Sequence, residues 1–147
     1  MTHVVRATGA SMAPPAAFFA CWADLASWPE WNTDTEWVRL DGPFRQGATG
    51  RLKPKGAPAV RFTVSRLVPD REFVDVSALP GARLTFSHLL GRTIDGRTTI
   101  QVDVTITGPL RWLWSRLMGE GLRRSAQPDV DGLIARAEQD APSEVGR

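Results

Sequence analysis

Apolar and polar residues alternate along the middle of the chain, between residues 34 and 107. Alternation with a period of two is typical of a β-strand that has one buried and one exposed face. The clearest apolar positions belong to two runs, namely Val60, Phe62 and Val64, and Ile100, Val102, Val104 and Ile106. Because each run has one apolar and one polar face, we expect a sheet with one solvated side and one side covered by helices.

Residues typical of turns divide this region into six predicted strands. They occur at Asp41-Gly42-Pro43, Lys55-Gly56, Pro69-Asp70, Leu79-Pro80-Gly81 and Asp95-Gly96. Connections of this length favour an antiparallel meander, because parallel neighbours need a crossover of about a dozen residues or more. The pair Asp95-Gly96 is typical of a hairpin turn of the primed type.

The segment before the meander predicts a strand over residues 3–9, followed by an apolar helix over 16–23. Pro14-Pro15 would open that helix, because proline is accommodated in a first helical turn. A second short helix is predicted to begin within 24–27. We expect residues 28–31 (WPEW) to form a bend, because the residue before a proline avoids the α conformation.

A helical pattern returns after Gly108-Pro109, over residues 110 to about 139. Pro128 is expected to kink this helix or to start a second segment. The clearest apolar stripe of the helix consists of Val130, Leu133, Ile134 and Ala137. We expect residues 1–140 to form a single domain and residues 141–147 to form a flexible tail.

The composition narrows the class of protein. A chain of 147 residues with 42% hydrophobic and 23% charged residues is typical of one globular domain. A net charge of +2 gives no reason to expect a nucleic-acid partner. One cysteine and two histidines offer no recognised zinc site, so no metal or other cofactor is expected. No membrane span or signal peptide is predicted, and the cytoplasm is the expected location.

Five segments carry a resemblance to a known family. They are residues 23–31 (ADLASWPEW), 40–47 (LDGPFRQG), 52–56 (LKPKG), 84–88 (LTFSH) and 107–110 (TGPL). In this order they resemble the START-like, helix-grip superfamily, and within it the bacterial polyketide cyclase/dehydrase-like branch. The resemblance implies an α+β fold in which a curved antiparallel sheet of about seven strands wraps around a long C-terminal helix, with two short helices after the first strand. It also implies an internal cavity for an apolar small molecule, but no universal catalytic motif.

His88 and Glu36 are the candidate catalytic residues. Strand parity places His88 on the same face as Phe86, towards the cavity, and an imidazole titrates near working pH. Glu36 shares parity with Leu40, which predicts an inward carboxylate that acts as a base or pairs with His88 or an arginine. A hydrogen-bonded core histidine and a solvated glutamate at a strand start are the structural alternatives. We expect His88 to contribute to recognition more than to chemistry, because no clearly placed carboxylate orients it.

Large apolar residues are expected to line the cavity. The predicted ligand-binding set, besides His88, is Trp31, Phe62, Phe86, Trp112, Met118 and Leu122. Met118 and Leu122 lie one helical turn apart and are expected to form a gate. Gly119 and Gly121 weaken the helix there by about 1 kcal/mol each relative to alanine. Parity places Trp37 on the outer face of the sheet.

Two functions follow from these expectations. The first is binding of a hydrophobic or aromatic metabolite, with or without metal-free cyclisation, dehydration or a related proton transfer. The second is a non-catalytic lipid or isoprenoid carrier that docks on membranes through Trp112, Trp114 and nearby arginines. A partly buried helix with solvated arginines explains the same segment, so membrane contact is the less favoured interpretation. The sequence does not indicate an oligomeric state.

Overall fold

The computed structural model describes residues 1–32 and 34–140, which form the predicted α+β helix-grip fold. Its elements in chain order are β1 (Thr2–Ser11), α1 (Pro15–Ala23), a 3₁₀ turn (Leu25–Ser27), α2 (Trp28–Trp31), β2 (Thr35–Leu40), β3 (Thr49–Pro54), β4 (Val60–Val68), β5 (Glu72–Leu79), β6 (Ala82–Arg92), β7 (Thr98–Thr107) and α3 (Arg111–Asp140). The predicted tail, residues 141–147, lies outside the described residues.

The seven strands form one antiparallel sheet in the order β1-β7-β6-β5-β4-β3-β2. The six-strand meander is therefore confirmed, and β1 closes the far side by pairing with β7. The register agrees with the predicted faces, because Phe86 pairs with Val104 and His88 with Val102 on one side of the sheet. We call this side concave, since it carries the core and faces α3.

The turn between β6 and β7 is not of the predicted primed type. The backbone N–H of Gly96 donates to the carbonyl of Thr93 over 3.1 Å, so Ile94 and Asp95 occupy the turn centre. Gly96 has φ +87°, whereas Asp95 keeps an ordinary negative φ. A primed turn needs a positive φ at its first central residue, so this connection is a longer loop closed by a left-handed glycine.

The segment Trp28–Trp31 is a short helix, α2, where we expected a bend. Pro29 lies in its first turn, where the missing N–H has no helical partner to lose. Trp28 keeps helical dihedral angles (φ −52°, ψ −43°) although a proline follows it. The N–H of Asn32 then donates to the carbonyl of Trp28 over 2.7 Å and completes the turn.

Helix α3 runs from Arg111 to Asp140 as one element, so Pro128 does not divide it into two segments. The buried residues Ala126 and Val130 lie on either side of Pro128 and fix the helix against the core. The predicted apolar stripe is confirmed and packs mainly against β1 and α1. Close approach to β1 is allowed by Gly9, where any side chain would collide with Ile134.

No helix within the described residues is both long enough and apolar enough to span a membrane.

Candidate functional site

The concave face carries two polar residues on β5 that the alternation of the sequence conceals. Asp75 and Ser77 point inwards and are buried, whereas Val74 and Val76 point outwards and are only half-buried. The register explains this arrangement. Asp75 pairs directly with the inward Phe86, and directly paired residues of antiparallel strands share one face of the sheet.

The buried carboxyl of Asp75 has no charged or hydrogen-bonding partner among the described residues to compensate for its loss of hydration. Burial raises the pKa of its carboxyl from the usual 3.8 to about 7, and neither a charge nor a hydrogen bond from the described residues opposes that shift. Near neutral pH both protonation states are therefore populated. The acid form can donate a hydrogen bond and the carboxylate can accept one, which are the two states that proton transfer requires.

His88 lies beside Asp75 on the same face and is neutral. Its Nδ1–H donates to the carbonyl of Phe73 over 2.8 Å, and burial lowers the pKa of the imidazole to about 4. Because the carbonyl can only accept, this bond fixes the tautomer and leaves Nε2 as an acceptor. The ring stacks on Phe73 with centroids 4.8 Å apart, which holds its orientation.

Trp22 of α1 contributes an unpartnered donor at the same place. Its indole is buried, its ring centroid lies 5.4 Å from that of His88, and its Nε1 has no hydrogen-bond partner within the described residues. By contrast, Trp28, Trp31 and Trp114 each donate to an oxygen of the protein. A buried unpaired donor costs about 1–3 kcal/mol, so the Trp22 indole marks a place where an external acceptor would be stabilising.

We refer to Asp75, Ser77, His88 and the Trp22 indole as the inner polar set. Asp75 is diagonal to His88 across the β5–β6 pair, which puts their Cβ atoms about 7 Å apart. The set offers a donor or acceptor at the carboxyl, an acceptor at the imidazole and a donor at the indole. This arrangement suits hydroxyl or carbonyl oxygens on an otherwise apolar molecule.

The concave side is only partly open. Phe86 and His88 point inwards from a central strand and yet are half-buried, so some space remains above them. Trp22, Phe18 and Phe73 are almost fully buried and fill the region beside that space. Two shallow concavities of the described surface lie elsewhere, at the β6 end near Arg71 and on the convex face, and neither is the expected internal cavity.

The expected inward position of Glu36 is wrong. The β2–β3 register shifts between Thr35 and Trp37, and this bulge breaks the parity on which the expectation depended. Thr35 is buried in place of Glu36, whose Oε1 lies 3.1 Å from Lys53 Nζ at an exposed position. The geometric basis for a catalytic Glu36 is thereby removed.

Two of the predicted lining residues also lie elsewhere. Trp112 is 60% exposed on the first turn of α3. Its neighbour Trp114 turns towards the protein instead and donates to the carbonyl of Pro80 over 2.8 Å. Trp31 is half-buried against Trp28, with ring centroids 5.9 Å apart, and its carbonyl abuts Gly132 of α3. It therefore belongs to the junction of α2 and α3.

The remaining predicted lining residues lie where the parity and the helix spacing put them. Phe62 is buried on the concave face, and Phe86 lies there half-buried. Met118 and Leu122 are half-buried and pack from α3 against the core. Phe62 pairs directly with Ser77 and Phe86 with Asp75, so these two residues border the inner polar set on the sheet. The role of all four residues in binding remains a prediction.

Asp75 and Trp22 were missing from the sequence-based site. Asp75 could have been found from the turn at Leu79-Pro80-Gly81, because that turn fixes its pairing with Phe86. Trp22 gave no such signal, since an indole in an apolar helix is typical of core packing. Within residues 1–32 and 34–140, no three His, Cys, Asp or Glu side chains converge to hold a metal ion.

A family described as polyketide cyclase/dehydrase and lipid transport matches residues 2–138 of the chain. No curated protein matches this chain. The family match agrees with the START-like resemblance carried by the sequence segments.

Solved structures share the fold at low sequence identity. A protein of Mesorhizobium loti gives a TM-score of 0.70 at 12% identity, over 94% of this chain and 100% of that one. A START superfamily protein from Mycobacterium smegmatis gives 0.68 at 17% identity, over 93% and 98%. DynU16, a protein in the dynemicin biosynthetic locus, gives 0.69 at 19% identity, over 95% of this chain but 48% of its own. At these identities the likeness extends to the fold alone.

Proposed function

Because the chain belongs to the polyketide cyclase/dehydrase and lipid transport family, we propose that it binds a small, largely apolar molecule against the concave face of its sheet. The ligand carries at least one hydroxyl or carbonyl oxygen, which the inner polar set recognises. The observation that carries the proposal is that two buried polar groups lack a hydrogen-bond partner among the described residues, the Asp75 carboxyl on β5 and the Trp22 Nε1 on α1.

The energetic argument is that both groups are costly in the free protein. An unpaired buried donor or carboxyl loses its hydration without gaining a protein partner. A ligand oxygen within hydrogen-bond distance returns part of that loss, and the surrounding Phe62 and Phe86 supply apolar contact. Affinity and orientation then come from different parts of one surface.

The access route in this proposal is the middle of α3. The start of the helix is held at the β5–β6 turn, where the N–H of Leu110 donates to the carbonyl of Gly81 over 2.9 Å. The second half is held at β1, where Gln127 Nε2 donates to the carbonyl of Thr8 over 2.9 Å. Met118 and Leu122 lie between these two anchors.

Gly119 and Gly121 lie in this middle segment, and glycine lowers local helix stability. Movement of the segment would expose the concave face without breaking the core that α3 forms with β1. Leu122→Trp should block uptake of an apolar probe with little change in thermal stability. Leu117→Trp is the matched control, because Leu117 is 67% exposed on the same helix. Unchanged uptake in Leu122→Trp would place the gate elsewhere.

Within this function Asp75, more than His88, is the group suited to proton transfer. Its carboxyl pKa of about 7 allows it to give and take a proton near neutrality. The imidazole of His88, with a pKa of about 4, stays neutral there and orients the ligand through Nε2. If the protein is an enzyme, metal-free enolisation, cyclisation or dehydration is the chemistry that these groups support.

The binding proposal is tested by equilibrium dialysis with 2-naphthol and naphthalene, which differ by one hydroxyl. Native protein should prefer 2-naphthol by about 2- to 10-fold, the value of one net hydrogen bond. Trp22→Phe and Asp75→Leu should each reduce that preference, because each removes one polar partner. Trp31→Phe is the control, since its Nε1 already donates to Ser27 Oγ over 3.3 Å. Equal binding of both probes, or a preference that survives both substitutions, would contradict the proposal.

A second candidate is a lipid carrier that docks on membranes, which the exposed apolar residues at the start of α3 favour. Trp112 is 60% exposed and Leu117 is 67% exposed, and Arg111 and Arg116 are exposed beside them. Such a segment fits an anionic interface. Co-sedimentation with phosphatidylglycerol vesicles should weaken in Trp112→Ala but not in Ile94→Ala, which removes a fully exposed apolar residue from the β6–β7 loop. No sedimentation with anionic vesicles would exclude this candidate.

A further inference from the structure

Three arginines form a row across the convex face of the sheet. Arg39 of β2 pairs directly with Arg51 of β3, which pairs directly with Arg61 of β4. All three side chains are exposed. Like charges placed directly opposite each other across strands are destabilising, so the fold carries an electrostatic cost at this position.

The arginines of the row differ from several other surface arginines in having no ion-pair partner among the described residues. Elsewhere on the surface, Arg6, Arg66 and Arg97 form ion pairs with N···O separations between 2.6 and 3.3 Å. Within residues 1–32 and 34–140, none of the three arginines in the row has a carboxylate within ion-pairing distance. The row therefore presents concentrated positive charge on a protein whose overall charge is only +2.

The row forms part of a concavity of about 320 Å³. The lining residues are Trp37, Arg39, Asp41, Arg51 and Arg61. The guanidinium of Arg39 lies 4.7 Å from the centroid of the Trp37 ring, which limits its freedom. Asp41 is an acidic residue of the wall, and its Oδ2 accepts a hydrogen bond from Thr49 over 3.4 Å. The concavity is thus a basic hollow with one apolar wall.

The geometry selects the kind of anion. Neighbouring strands are about 5 Å apart, so three guanidinium groups are distributed over a row of about 10 Å. A guanidinium binds phosphate oxygens through two parallel hydrogen bonds, which a lysine cannot reproduce. A single phosphate reaches one or two of these groups, whereas a diphosphate reaches more of the row.

We propose that this hollow on the convex face of the sheet binds the diphosphate or polyphosphate group of a ligand, at a site separate from the concave face. Trp37 provides the wall against which an organic part of such a ligand packs. The site is independent of the inner polar set, because the sheet separates the two.

Isothermal titration calorimetry on the full chain, at fixed ionic strength, tests the site with orthophosphate, pyrophosphate and ADP. Pyrophosphate should bind about tenfold more tightly than orthophosphate, because it makes at least one further charge-assisted hydrogen bond. Tighter binding of ADP than of pyrophosphate would identify an organic diphosphate as the ligand. Equal binding would identify the inorganic anion.

Variants of Arg51, the central arginine of the row, distinguish a specific phosphate-binding site from general attraction by surface charge. Arg51→Gln should weaken pyrophosphate binding by about tenfold or more, and Arg51→Lys by about fivefold, because lysine keeps the charge but loses the paired donors. Arg83→Gln is the matched control, since Arg83 is exposed on the convex face outside the row. Its affinity should change by less than about twofold, as for a distant surface charge.

Thermal melting verifies that the variants fold. Arg51→Gln removes a like-charge contact and should melt no lower than the native protein, and pyrophosphate should raise the melting temperature of the native protein but not of this variant. Three results would overturn the proposal: no pyrophosphate binding to the native chain, equal weakening by Arg51→Gln and Arg83→Gln, or native affinity in Arg51→Lys.

Discussion

Strands β7 and β5 belong to the same sheet, separated by β6, but their inner faces differ in chemistry. From Thr98 to Ile106, every second residue of β7 is buried and all but the first are apolar. On β5 the inward positions after Phe73 are Asp75 and Ser77, while the two valines between and beside them face outwards. The apolar pattern thus points inwards on β7 and outwards on β5.

The difference separates residues that specify the fold from residues that specify a site. Strand β7 satisfies strand propensity, alternation and core packing together, as expected where a strand only stabilises the structure. Strand β5 violates the alternation at Asp75 and Ser77, and the neighbouring strands hold it in register nevertheless. Local violations of this kind are concentrated at functional sites.

The largest effect should come from the interior of β7. Ile106→Ala removes a fully buried side chain and should lower the free energy of unfolding by about 2–5 kcal/mol, because it leaves a cavity. Urea denaturation followed by circular dichroism measures the loss. The control Ile94→Ala, at a fully exposed loop position, should stay within about 0.5 kcal/mol of the native protein. Equal losses for the two variants would remove β7 from the core.

The next effect should come from Asp75 and depend on pH. The folded protein holds a proton on this carboxyl up to a pKa of about 7, whereas the unfolded chain releases it near 3.8, so stability falls as pH rises between these values. Above pH 7, Asp75→Asn should exceed the native protein in stability by on the order of 4 kcal/mol. Below about pH 4 the difference should vanish, because both side chains are then neutral.

The comparison of the native protein with Asp75→Asn separates the titration of Asp75 from that of a second carboxyl, Asp129. Burial and the nearby Asp34 carboxylate also raise the pKa of Asp129, to about 7. Asp129 titrates equally in the native protein and in the variant, so it cancels in their difference. Urea titrations at a series of pH values provide the measurement, and a stability difference that is constant from pH 4 to 8 would refute the buried, uncompensated Asp75.

A smaller effect should distinguish the two strands through one identical substitution. Val104→Thr places a hydroxyl in the apolar interior of β7 and should cost about 1–3 kcal/mol. Val76→Thr places it on the outward, half-buried side of β5 and should cost less than about 0.5 kcal/mol. Thermal or chemical denaturation of the pair is sufficient. If Val76→Thr costs as much as Val104→Thr, the faces of β5 are not as described.

The smallest effect should be that of His88 on ligand affinity. His88→Gln keeps a donor and an acceptor, so the affinity for 2-naphthol should change by less than about tenfold. His3→Gln, at an exposed position on β1, is the control. For an enzyme, loss of turnover by about two orders of magnitude with affinity unchanged would show instead that His88 is the acid or base.

The sequence predicted most of the fold, because short turns and clean alternation determine a meander almost without tertiary information. It failed where a single local irregularity changed the outcome. Because of the β2 bulge, Thr35 lies on the buried side of the sheet and Glu36 does not. A bulge leaves no reliable trace in the alternation of apolar residues. The sequence around Pro29 predicts a bend, because the place of a proline in a first helical turn depends on where the helix begins.

The site was less predictable than the fold for a physical reason. Asp75 is inward because of pairing with β6, whereas Val74 and Val76 suggest the opposite face. The missing hydrogen bond of the Trp22 indole is a property of the packed interior, which residue type alone does not report. His88 was found because its own strand alternates cleanly with Leu84 and Phe86.

The central claim is that Asp75 is a buried, uncompensated carboxyl that faces the ligand. Carbon-13 NMR of the aspartate side-chain carboxyl carbons tests it directly, by a pH titration with and without saturating 2-naphthol. We expect the Asp75 resonance to titrate with a pKa of about 7 in the free protein, and both its position and its pKa to shift when 2-naphthol binds. The resonance of the exposed Asp41 should be unchanged by addition of 2-naphthol. An Asp75 that titrates near its ordinary value of 3.8 and is unaffected by bound 2-naphthol would contradict the account.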